Sequence, residues 1–111
     1  MNEEICEIVI TGPSIDGLLE FTRRLVRLRL VACGQAVREV TSIYWWQGEV
    51  QEDSEARVAL HTRLSLVPQI VAQANDWNLA DVPCVIALPV IAANPAYAQW
   101  VLTETSQVSQ S

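Results

Sequence analysis

The order in which the apolar period changes along this chain restricts it to very few architectures. Residues 5–11 form a short β-branched run stopped by Gly12-Pro13, the composition and punctuation of a strand. Ser14 then offers an N-cap, and Asp16 puts a carboxylate in the first turn, where the helix dipole favours it. Leu18, Phe21, Leu25 and Leu28 follow at helical spacing, with Glu20, Arg23, Arg24 and Arg27 turned away. This predicts a helix to about Cys33, with Gly34 as its stop. Residues 37–46 are rich in Val, Thr, Ile, Tyr and Trp and predict a strand that turns at Gln47-Gly48. Beyond the turn, Ala56, Val58 and Leu60 alternate with Glu55, Arg57, Ala59 and His61, a period of two with one apolar side.

Ser65 is the expected cap of a second helix that tolerates Pro68 in its first turn. Its inner stripe is Val67, Ile70, Val71 and Ala74, and it ends near Asn75. Residues 82–90 are the most continuously apolar run and read as a strand, with Pro83 and Pro89 at entry and exit. Asn94-Pro95 opens a third helix with Tyr97, Trp100 and Val101 on its buried side. Residues 106–111 are polar and read as a frayed tail. The order β-α-β-β-α-β plus a C-terminal helix is the ferredoxin-like α+β arrangement: a four-stranded antiparallel sheet with two helices on one face. A chain of 111 residues, 50% of them hydrophobic, fits one such domain spanning residues 1–111.

In this scheme the second face of the sheet has no helix, and Glu55, Arg57 and His61 alternate onto it. Tyr44, Trp45 and Trp46 are consecutive, so Trp45 faces opposite to its two neighbours. Aromatics on both faces suit a strand covered by its own core and by a partner subunit. Stacking on a planar ligand is the second reading.

Several classes drop out. A formal charge of −6 disfavours nucleic acid as a partner. No apolar stretch reaches the roughly 18 residues of a membrane span, and the start lacks a signal-peptide pattern. Three cysteines without a CxxC motif read as reduced thiols of a cytoplasmic protein. There is no P-loop, GxGxxG, HExxH or GxSxG motif, so an enzyme is not expected.

Four segments together resemble the CutA (divalent-cation tolerance) family: TSIYWWQGEVQEDSE at residues 41–55, LVACGQ at 30–35, DVPCVIALPV at 81–90 and NPAYAQWV at 94–101. The resemblance implies a ferredoxin-like fold and a tight homotrimer in which long strands extend the sheets of neighbouring subunits. It also implies likeness to trimeric PII signalling proteins and a link to metal tolerance, with copper binding in some members and no established reaction. The chain departs from the family pattern at residues associated with metal. Ile10 stands where copper-associated members carry cysteine, Asn78-Leu79-Ala80 where His-Pro-Tyr is common, Cys84 where glutamate follows proline, and His61 where lysine is familiar.

His61 is the only histidine, so no multi-histidine metal site can form within one subunit. It reads first as a packed or solvated strand residue. In a trimer, His61 and Cys84 of neighbouring chains, with Asp81, can meet in an inter-subunit cleft and offer donors suited to copper or zinc. Tyr44, Trp45, Trp46 and Arg57 are the expected interface and cleft residues. Cys33 reads as a structural residue closing the first helix. The acids Glu49, Glu52, Asp53 and Glu55 either attract cations weakly or protect a strand edge. The expected function is therefore that of a non-enzymatic homotrimer in divalent metal-ion tolerance or response, its metal or small-molecule ligand held between subunits. The alternative is a cytoplasmic PII-like signalling or adaptor module that binds a small molecule or protein without metal.

Overall fold

A computed structural model of the chain describes residues 4–107. Strand β1 (Ile5–Gly12) leads into helix α1 (Ile15–Arg27), where Ser14 Oγ accepts from the backbone N–H of Gly17 at 3.2 Å. The apolar spacing read from the sequence is the buried stripe: Leu18, Phe21 and Leu25 are wholly shielded from solvent. Each such side chain contributes roughly 1.5–3 kcal/mol through burial.

The helix stops about six residues earlier than the apolar spacing predicts, and the reason is local. Arg29 takes a left-handed φ of 61°, Leu30 N–H donates to Leu25 O and Arg29 N–H to Val26 O. These two bonds form a Schellman cap with arginine in the place glycine usually fills. Arg29 is held there by Glu104, at 2.6 Å, and its carbonyl accepts from the N–H of Ser106 at 2.9 Å.

Gly34 is consequently no helix stop. It lies in strand β2 (Cys33–Trp46), under the crossing of α1, where a Cβ would sit 2.5 Å from Thr22 Cγ2 and 2.9 Å from Leu60 Cδ2. Thr22 cannot easily swing aside, because its hydroxyl donates to Leu18 O at 2.8 Å.

Strand β3 (Glu49–Arg63) returns from the turn, in which Gln47 and Gly48 have φ of 49° and 82°. Two consecutive positive φ values are what a tight primed hairpin turn requires. A single 3₁₀ turn (Leu64–Leu66) then precedes helix α2 (Val67–Trp77). Ser65 therefore lies inside that turn; the cap position is Leu66, which makes no side-chain cap bond. Strand β4 (Cys84–Pro89) is shorter than the apolar run that signals it, and helix α3 (Pro95–Glu104) begins with proline after Asn94.

The four strands are antiparallel in the order β2-β3-β1-β4, the ferredoxin-like topology. The alternation in β3 falls as read: Ala56, Val58 and Leu60 are buried on the face under α1 and α2. The opposite face is not left bare. Helix α3 covers one end of it, with Val101 fully buried against the sheet. Buried Arg63 fastens that helix: its Nε donates to Thr105 Oγ1 at 3.0 Å and its Nη2 to the carbonyls of Leu102 and Thr105. Trp100, expected on the buried side of α3, stays 41% exposed. Of the polar tail, Ser106 and Gln107 are exposed, and residues 108–111 lie outside the described residues.

The β2–β3 pair outgrows the sheet. Pairing of β1 with β3 ends at Gly12↔Ala56, whereas β2 and β3 remain paired from Val40↔Glu55 to Trp46↔Glu49. Arg38 and Glu39 form a bulge opposite Ala56, at the root of this arm. The chain is accordingly elongated, 47 × 28 × 24 Å, with a radius of gyration of 14.8 Å. A compact chain of this length has a radius of about 13 Å.

Gly34→Ala is expected to destabilise the chain by about 1–3 kcal/mol through overpacking against Thr22 and Leu60. Gly12→Ala, which meets nothing within 4 Å, serves as the near-neutral control. Urea melts of the two variants check this.

Candidate functional site

Two places concentrate chemistry-bearing side chains. The first is a concavity of about 950 Å³ under the arm, lined by Tyr44, Trp45, Trp46, Asp53, Asp81 and Cys84 among others. The arm and the loop before β4 create it between them, because Thr11 at the end of β1 pairs with Cys84. Within one chain the aromatics are not covered twice. Trp45 is 74% exposed, and Tyr44 and Trp46 are also exposed, since the arm has passed beyond the core. Tyr44 donates its hydroxyl to Asp53 across the hairpin, and that bond, reinforced by the carboxylate's charge, holds the phenol proton and raises its pKa. Arg57 is half-buried at the arm's root, paired with Thr11 and Val37, and does not line the concavity.

The second place lies further down the same face of the sheet. Register sets Cys33 beside His61 and His61 beside Glu7, so three neighbouring strands present a cysteine, a histidine and a glutamate in one row. His61 Nε2 lies 2.9 Å from Glu7 Oε2. A carboxylate accepts only, so Nε2 carries the hydrogen, and in the neutral ring Nδ1 then holds the lone pair. Tyr97 reaches down from α3, its hydroxyl 2.5 Å from Nδ1 and 3.2 Å from Cys33 Sγ; Cys33 Sγ is itself 3.6 Å from Nδ1. The rings of His61 and Tyr97 meet edge to face at 5.6 Å.

The residues expected at a metal centre are therefore distributed unequally within one chain. Asp81 and Cys84 share the concavity with Tyr44, Trp45 and Trp46. His61 does not join them: the residues of β1 opposite His61 and Cys84 are Glu7 and Thr11, four positions apart. That is about 13 Å along a strand. Among the described residues of one chain, no group of three or more His, Cys, Asp or Glu side chains is arranged to hold a metal ion. Cys33, read from the sequence as the close of a helix, opens β2 instead and joins His61. Glu7 was legible as a partner only through the period of β1, and Tyr97 only if α3 were known to cover this face.

Element order, strand order and the projecting hairpin define a ferredoxin-like α+β protein with a two-stranded arm. Residues 6–104 match the family described as CutA1 divalent ion tolerance protein, and the chain belongs to that family. It is similar to the divalent-cation tolerance protein CutA of Thermus thermophilus, 35% identical over 88% of this chain and 95% of that one. It is also similar to protein CutA of Mus musculus, 39% identical over 92% of this chain, but it spans only 58% of the mouse protein's length. Among solved structures, the Thermus thermophilus protein superposes with a TM-score of 0.88 at 33% identity, covering 92% of this chain and 99% of that one. CutA1 from Oryza sativa gives 0.91 at 29% identity, covering 96% and 97%. No helix among the described residues is long and apolar enough to cross a membrane.

Burial pushes the Cys6 thiol from 9.0 up to about 11. Burial, then the bond with Cys33, pushes the Tyr97 phenol from 10.0 up to about 12. Both raised groups keep their protons longer in the folded chain than in the unfolded one. Their stabilisation is full below about pH 9 and is lost as pH rises through 11 for Cys6 and 12 for Tyr97. Urea melts between pH 8 and 12 should show falling stability, and Cys6→Val should flatten the part between pH 9 and 11.

Proposed function

We propose that the chain acts as a non-enzymatic homotrimer in tolerance of, or response to, divalent metal ions, taking its ligand in the cleft beneath the arm. The observation that carries this reading is the arm itself. Among the described residues, 40–46 and 49–55 pair only with each other. Strand β2 ends the sheet with an unpaired edge, and Ile43, Trp45 and Val50 are 58–74% exposed on one side of it. A long edge strand with apolar side chains is a template for pairing with another chain. A second copy laid along it would wall the concavity and turn an open groove into a cleft.

In this reading the ion-facing groups are Asp81 and Cys84, with Tyr44, Trp45 and Trp46 lining the cleft and Arg57 at its root. A carboxylate and a thiolate suit zinc, and the thiolate suits copper(I). Two donors are too few within one chain, so the neighbouring copies complete the set. His61 stands outside, because both its ring nitrogens are already engaged. The chain's three cysteines are all free thiols, in keeping with a reducing, cytoplasmic setting. The second reading, a PII-like module for a small molecule or protein, is favoured by the aromatic lining and by the lack of a three-donor cluster among the described residues of one chain.

Zinc and copper(I) titrations under reducing conditions test the metal reading. Wild type is expected to bind at least about tenfold more tightly than Cys84→Ser and Asp81→Asn. Equal, weak binding in all three would contradict it and favour the second reading.

A further inference from the structure

The row Glu7–His61–Tyr97–Cys33 is not used by the cleft, and its bonds are directional. We propose that Cys33 is a primed nucleophilic thiol, a modification site that takes small disulfides by thiol–disulfide exchange. Glu7 accepts from His61 Nε2–H and leaves Nδ1 as the base. Nδ1 lies 2.5 Å from the Tyr97 hydroxyl, and that hydroxyl lies 3.2 Å from Cys33 Sγ. The thiol proton thus has a path: Sγ–H gives its proton to the Tyr97 oxygen while Tyr97 O–H gives its own to Nδ1. The direct distance from Sγ to Nδ1, 3.6 Å, offers the same transfer in one step.

The products are a thiolate hydrogen-bonded by Tyr97 and an imidazolium facing the Glu7 carboxylate. A nucleophile, a base and a group orienting that base are the parts an activated thiol needs. Tyr97 is a phenol before and after the relay, because it takes the thiol proton as it passes its own to Nδ1. The thiolate attacks one sulfur of a small disulfide. A bond forms between Sγ and that sulfur, the disulfide bond breaks, and the other half leaves as a thiolate that takes up the proton. The disulfide is the oxidant, and Cys33 is oxidised to a mixed disulfide.

The other two cysteines supply controls within the same molecule. Cys6 is wholly buried with its thiol pushed up to about 11, so it is inert while the chain is folded. Cys84 is exposed and has no imidazole partner. Access alone ranks Cys84 above the half-buried Cys33; the polar row reverses that order.

Timed labelling of the full chain with iodoacetamide at pH 7, read peptide by peptide by mass spectrometry, tests this. Cys33 is expected to label at least about fivefold faster than Cys84, and oxidised glutathione is expected to add to the Cys33 peptide first. His61→Gln and Tyr97→Phe should each slow Cys33 by roughly tenfold and leave the Cys84 rate unchanged. Unlabelled Cys6 certifies in each variant that the fold survives, and any variant that exposes Cys6 is replaced by Glu7→Gln. Cys33 labelling no faster than Cys84 in the wild type overturns the proposal, as does a Cys33 rate unaffected by these variants in folded chains.

Discussion

Among the described residues, the strands of residues 40–55 pair only with one another, and much else in the molecule follows from that. A two-stranded ribbon is marginal in water unless something packs on it. Here the bulge at Arg38-Glu39 releases the ribbon from the sheet just where β1 ends. The primed turn at Gln47-Gly48 closes it, and exposed aromatic and aliphatic side chains stand on both of its faces. The acids that follow the turn charge the ribbon along one strand, beside its exposed apolar positions Ile43, Trp45 and Val50. The concavity owes its existence to the same overhang, because the loop before β4 faces the arm rather than another strand.

The other end of the sheet is built on a different principle. There the chain closes its second face by itself, laying α3 across β1 and β3. Apolar contact from Val101 anchors that helix, and polar groups fix its position. Arg63 binds its C-terminal carbonyls, Arg29 pairs with Glu104, and His61 meets Tyr97. Every described buried side-chain nitrogen or oxygen has a partner, so the polar row costs little in unmet hydrogen bonds. The same sheet therefore carries one self-covered end, where His61 and Cys33 are enclosed, and one end that reaches out of the chain.

Element order, the inward residues of β3 and the core stripe of α1 were legible because each rests on a period that nothing else in the chain contradicts. The misread boundaries share a cause. Arg29 fills a left-handed cap position that ordinarily signals itself with glycine, so the sequence carries no stop at that point and the next glycine, Gly34, mimics one. Gly34 is in fact required by the close passage of Thr22 and Leu60, a tertiary contact with no local signature. The same missing signal makes Cys33 look like a helix end, whereas it opens β2 beside His61. The aromatics of residues 44–46 were legible as unusual, but which surfaces they leave open depended on knowing where β1 stops. His61 was legible as the sole imidazole, though its partners come from three other elements and no spacing in the sequence brings them together.

Native mass spectrometry of freshly purified protein tests most directly whether the arm is completed by further copies of the chain. A dominant species at three times the chain mass, persisting on dilution, is the expected result. A monomer at micromolar concentration, with the arm's amides exchanging as freely as those of an exposed ribbon, would contradict it.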